Sequence, residues 1–329
     1  MILITGATGF LGSQLIKDLL VEGEKIRAIA HLRELICDDV EIDQSKIEWV
    51  VGDITDKYFM DEAMQNINQV YHCAGIVSFK NKDKEMLKAV NAEGTAIVVN
   101  AALENKIKKF IYVSSVAAMG YGLENEIITE KKSWEFDRRL SPYAISKFMG
   151  EQEVWRGINE GLNAIIINPP MIIGTGSKEK GFTKLFEIPA KGIQYYMDGT
   201  SGMVDVRDVS RCMIQLMKSD FSGERFIVSA GNISIKEFFT IVAKKFNKPA
   251  PSKLLPAWIL QIAWRISSFY SFLTRNEGFL SKFEAQSACE YIFYNNEKIR
   301  KALSFNFIPL EKSIHAVCEE MIRKKGNTK

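Results

Sequence analysis

Short apolar, β-branched runs alternate with amphipathic stretches through well over half of the chain. Residues 1–5 read as a buried strand that feeds directly into a helical pattern at Leu11, Leu15, Ile16, Leu19 and Leu20. Further strands are expected at 26–30, 47–51, 69–73, 110–114 and 164–168, with helices at 61–66 and 82–105. This strand–helix rhythm predicts an α/β fold built on a doubly wound parallel sheet. From Gly174 it breaks: a polar loop (174–181), a helix (182–191), and a strand end at 205–218 running into a helix that rejoins the main sheet. Polar amphipathic helices close the chain over 295–325.

The segment 254–273 is the most apolar, but Pro256, Gln261, Arg265 and several serines interrupt it. A membrane span wants about 20 apolar residues, so crossing is not expected. Helices packed over a pocket are the preferred reading. An amphipathic lid that touches a membrane or admits a lipid-like molecule is the alternative.

Between the first strand and helix stands Gly6-Ala7-Thr8-Gly9-Phe10-Leu11-Gly12, a GxxGxxG turn. Gly6 permits the tight turn, Gly9 lets backbone approach a pyrophosphate, and Gly12 lets the helix pack closely on the strand. The helix N-terminus adds unpaired N–H groups and a positive dipole end, which makes this a place for a phosphate.

A chain of 329 residues suffices for a large domain with a smaller partner, and a net charge of +3 with no concentrated basic block argues against nucleic acid. Five cysteines without a CxxC pair and three dispersed histidines supply neither a disulfide framework nor a metal site. No cleavable leader is read ahead of the first strand, so a cytoplasmic location is expected.

In a parallel sheet, ligands lie beyond the carboxyl ends of the strands. Asp53 follows the third strand, where it either caps the next helix or accepts a hydrogen bond from an adenine amino group. Ala74-Gly75 follows the fourth, small enough for a cofactor to approach or simply a turn, and Ser114-Ser115 follows the fifth. Ser141 and Pro142 start a helix on which Tyr143 and Lys147 share one face. A tyrosine with pKa near 10 is a poor base at neutral pH. A lysine ammonium and an oxidised nicotinamide beside it would lower that value by roughly two to three pH units, worth about 3–4 kcal/mol. Tyr143 then serves hydride chemistry as proton donor and acceptor, Ser115 holds the substrate oxygen, and Lys147 also reaches the nicotinamide ribose.

Taken in order, Thr5 to Gly12, Gly52-Asp53, Ser115, Tyr143 with Lys147, and Asn168-Pro169-Pro170-Met171-Ile172-Ile173-Gly174 resemble the extended short-chain dehydrogenase/reductase family, also called the NAD-dependent epimerase/dehydratase family. The likeness runs from Met1 to Ala230. It implies a Rossmann domain over 1–174, with 203–230 returning to it, and a smaller, mostly helical substrate domain from 175–202 and 231–329. It implies a catalytic Ser115, Tyr143 and Lys147, and a dinucleotide over Gly6, Thr8, Gly9, Phe10, Leu11 and Gly12. Further cofactor contacts are expected from His31, Arg33, Asp53, Ile54, Ala74, Gly75, Lys147, Pro169 and Ile172. Ser78 and Phe79, with Ser115 and Tyr143, would face the substrate, and Asn91 belongs to the family's core helix. A homodimer through the Tyr143 helix is also expected.

Departures from the family's branches narrow the activity. Sugar-nucleotide dehydratases usually follow the catalytic hydroxyl with Asp-Glu, where Val116-Ala117 stands here. Nucleotide-sugar epimerases commonly carry a phosphate-gripping arginine, and the matching stretch from Ser201 to Val206 has none. The sequence is closer to the branch of dihydroflavonol reductases, cinnamoyl-CoA reductases and 3β-hydroxysteroid dehydrogenases. After the second strand, His31-Leu32-Arg33 offers a cation and no acid, so NADP is favoured over NAD, with Arg33 on the 2′-phosphate and His31 as its helper. The expected activity is NAD(P)-dependent, reversible reduction of a ketone or aldehyde on a mainly apolar small molecule. A sugar epimerase and a non-catalytic dinucleotide sensor are the alternatives.

Overall fold

The computed structural model describes residues 1–32, 44–122, 126–176, 180–274 and 280–326. Seven strands form the central sheet in the order Glu224–Ile227, Ala164–Asn168, Lys109–Val113, Gln69–His72, Ile2–Thr5, Ile26–Ala30, Ile47–Val51. All neighbours pair in parallel. The inner strands are apolar at nearly every position because both faces are covered. Ile2 and Ile4 enter the core on one side of the sheet and Leu3 the core on the other, and Ile165 and Ile167 divide from Ile166 in the same way.

The strands Ile2–Thr5 and Gln69–His72 lie side by side, with Thr5 opposite His72. The chain leaves them in opposite directions, which opens a crevice at their carboxyl ends.

Two helices depart from the sequence expectation. The one expected at 61–66 spans Lys57–Ala63, because the Asp56 side chain accepts from the Phe59 N–H and caps it early. The helix expected over 82–105 is interrupted: Lys84–Lys88 and Thr95–Glu104 are α-helical, and Ala89–Gly94 between them is a π-turn.

The second half adds a three-stranded sheet of Gly231–Ser234, Thr200–Asp205 and Met171–Ile173. Its core holds Phe186, Met203, Phe238, Phe239 and Ile314. The helix Glu297–Leu303 instead reaches back, placing Ile299 in a core of the main sheet. The apolar segment forms one helix, Ala257–Thr274, with the short helix Lys282–Ser287 packed beside it.

Candidate active site

The glycine turn occupies the mouth of the crevice. Gly6 has φ +65°, and a Cβ there would lie 2.7 Å from the backbone of Ala74 on the neighbouring strand's loop. A Cβ on Gly12 would lie 2.2 Å from the Gly6 carbonyl, so only glycine lets the helix Phe10–Val21 start this close to the strand. No side chain caps that helix at Gly9, and a helix N-terminus turns its positive dipole end toward an incoming anion. A cradle that Cβ atoms would fill, a helix N-terminus without a side-chain cap at Gly9 and the small residues Ala74 and Gly75 opposite fit a dinucleotide. Thr8 and Phe10 are half-buried there, whereas the Leu11 side chain is buried in the core.

Beneath the turn runs a buried chain of hydrogen bonds. The Ala74 N–H donates to Thr5 Oγ1 at 3.1 Å, and Thr5 Oγ1 lies 2.7 Å from His72 Nδ1. His72 Nε2 lies 3.0 Å from Thr95 Oγ1, which donates to the Asn91 carbonyl at 2.8 Å. Because the Thr95 proton is committed to Asn91, His72 donates from Nε2 and accepts from Thr5 at Nδ1. Burial, with Lys147 adding to it, pulls the His72 pKa down to about 3 and keeps the ring neutral. Asn91, in the π-turn, accepts from the Ile76 N–H at 2.8 Å and donates to the Ile76 carbonyl and to Ser146 Oγ at 2.9 Å.

The three residues expected to act on substrate sit around the carboxyl end of Lys109–Val113. Ser115 has extended backbone and caps the 3₁₀ turn Val116–Met119 by accepting from the Ala117 N–H. Ser141 caps the helix Pro142–Asn159, placing Tyr143 in its first turn and Lys147 one turn on. Phe79 meets the half-buried Tyr143 ring edge-on, centroids 5.8 Å apart, while Ser78 donates to Asp83 at 2.6 Å. Lys147 is buried and donates to the Val113 carbonyl at 2.8 Å. A Cβ on Gly75 would lie 3.6 Å from Lys147 Nζ, so that glycine keeps the space beside the amine open. Burial lowers the Lys147 pKa to about 8, against the opposing pull of Glu151.

The loop after the strand Ala164–Asn168 is clipped to Ser115. The Val116 N–H donates to the Pro169 carbonyl at 3.1 Å, and Asn168 Nδ2 donates to the Ser115 carbonyl at 3.0 Å. Asn168 also donates to Glu151 at 2.8 Å, and its own buried Oδ1 has no hydrogen-bond partner among the described residues. Ile172 is half-buried, packed on the core of the main sheet.

Toward the far end of the crevice, His31 Nδ1 lies 3.6 Å from an Asp53 carboxylate oxygen, and Asp53 accepts from the Thr55 N–H at 2.9 Å. The Ile54 side chain is buried against Gly94. Arg33 lies outside the described residues. Glu151, Arg225 and the His72 chain belong to no local motif in the sequence. The one available signal was a carboxylate four residues after Lys147 on an otherwise buried helix face.

This fold and site define an NAD(P)-dependent enzyme of the extended short-chain dehydrogenase/reductase type. The NAD dependent epimerase/dehydratase family matches residues 2–229, and the chain belongs to that family. It is 29% identical over 268 residues to a provisionally named dihydroflavonol 4-reductase of Synechocystis, covering 79% of this chain and 77% of that one. It is 26% identical over 264 residues to sterol demethylase protein B of Methylococcus capsulatus, covering 79% and 78%. The crystal structure of gox2253 superposes with a TM-score of 0.82 at 24% identity, covering 98% of each chain, and shares the fold.

Proposed function

We propose that the protein reversibly reduces a ketone or aldehyde on a mainly apolar small molecule, with NADP favoured over NAD. The main support is Lys147: a buried amine one turn from Tyr143, tied to the strand end that carries Ser115. Bound nicotinamide would supply or accept the hydride. Tyr143 gives its phenolic proton to the carbonyl oxygen during reduction and takes it back from the alcohol in reverse. Ser115 donates to that oxygen and orients it. Lys147 as an ammonium lowers the Tyr143 pKa electrostatically and holds the nicotinamide ribose. Val116-Ala117 supplies no acid or base for eliminating water. The relatives' names, a flavonoid reductase and a sterol demethylase protein, support an apolar substrate. Arg33 and His31 support the preference for a 2′-phosphate.

The test is Tyr143→Phe, assayed with NADPH against dihydroflavonols, steroid ketones and aromatic aldehydes. Turnover should fall by about 10²–10⁴-fold with NADPH binding nearly intact, and full activity overturns the proposal. Exchangeable NADPH should copurify; tightly retained NAD would favour the epimerase.

A further inference from the structure

We propose that the outer face of the helix Ala257–Thr274 docks on the surface of an anionic lipid bilayer. Leu260 and Ser267, seven residues apart, are buried and mark the side facing the protein. Trp258, Ile262, Ile266, Phe269 and Tyr270 are each between 46% and 63% exposed. At about 100° per residue these five side chains fall within an arc of about 120° roughly opposite Leu260, along about 18 Å of helix. A helix packed on a water-soluble body ordinarily turns polar residues outward, so this arrangement is reversed. Exposed Leu254 and Tyr195, in the strand pair just before the helix, extend the apolar surface.

Charge selects the occupant. From Phe238 to Asn276 there is no acidic residue, while Lys244, Lys245, Lys248, Lys253, Arg265 and Arg275 are basic. Lys245 is engaged with Glu319, but Lys248, Lys253 and Arg265 are exposed. A second copy seated on this face by two-fold symmetry would set Lys253, on the strand leading into the helix, and Arg265, on the helix itself, against their own copies, with no carboxylate from the segment to answer them. Anionic headgroups do answer them, and Trp258 and Tyr270 near the two ends are rings suited to the headgroup boundary. Among the described residues no helix is long and apolar enough to cross a membrane. The contact is therefore one of lying on the surface.

The experiment is flotation of the full chain with phosphatidylcholine vesicles, with and without 30% phosphatidylglycerol. The wild type should float with the anionic vesicles and lose most binding in about 0.5 M salt. Trp258→Glu/Ile266→Glu/Phe269→Glu should reduce flotation by roughly tenfold or more without changing NADPH binding. Should that variant fold poorly, Lys253→Glu/Arg265→Glu tests the charge arm alone and should weaken binding severalfold. Failure of the wild type to float, or equal flotation with pure phosphatidylcholine, overturns the proposal. A wild-type dimer in light scattering that the triple variant splits also overturns it, since a second copy then covers the face.

Discussion

Glu151 lies one helical turn beyond Lys147, fully buried, and its carboxylate gathers three elements. It accepts from Ser114 at 2.7 Å, from Asn168 at 2.8 Å and from Arg225 at 3.1 Å. One side chain thus ties the Tyr143 helix to the ends of the two strands that carry the Ser115 and Pro169 loops, and its charge favours the Lys147 ammonium.

Removing that carboxylate takes away the charge that balances the mostly buried guanidinium of Arg225, which among the described residues keeps only its bonds to the Glu130 and Lys132 carbonyls. Glu151→Ala should cost about 3–5 kcal/mol in urea unfolding. Glu151→Gln keeps an acceptor for Ser114 and should cost less, while lowering the pH at which Lys147 loses its proton.

Lys147 itself opposes folding at neutral pH. Its pKa falls from 10.5 to about 8 on burial, so between those values the unfolded chain holds a proton that the folded chain has lost. Stability therefore rises with pH through that window, and below about pH 8 the desolvation cost is fully present. Lys147→Met should stabilise the protein by about 2–3 kcal/mol at pH 7 while abolishing activity. Urea titrations should show the gap closing by about pH 10.5.

His72 shapes the acid limb. It is held neutral to about pH 3 in the folded protein against an ordinary 6.5, so stability should fall as pH drops from 6.5 toward 3, with a slope approaching 1.4 kcal/mol per pH unit. His72→Leu should flatten that part of the curve. At pH 7 the same variant should lose about 2 kcal/mol, because Thr5 and Thr95 each lose a buried partner.

Gly6→Ala places a methyl 2.7 Å from the Ala74 backbone at a positive φ. The ends of the strands Ile2–Thr5 and Gln69–His72 must part at the glycine turn. NADPH affinity by fluorescence titration should drop at least about tenfold, with a stability loss of about 1–3 kcal/mol.

The glycine turn and the sheet were legible because each announces itself locally. The turn puts three glycines before a helix, and strands covered on both faces read as unbroken apolar runs. The Tyr143–Lys147 pair was legible for the same reason, being one helical turn. Glu151 and Arg225 are 74 residues apart, and Thr5 and His72 are 67 apart. Nothing in a local window says that such polar residues will be buried together, because sheet order alone brings them into contact. The π-turn is hidden likewise: no residue of Ala89–Gly94 marks a π-turn locally, and the stretch adopts the wider turn beside Gly150, where a Cβ would lie 2.1 Å from the Asn91 carbonyl.

That wider turn ties the rotational setting of the segment 84–104 to its exact length. Deleting one residue from Ala89–Gly94 would restore a regular α-helix and satisfy the local backbone. It would also swing Asn91 by about 100°, away from Ile76 and Ser146. In this stretch chain length is set by geometry: the extra residue is a spacer that sets the rotational phase of everything upstream of it.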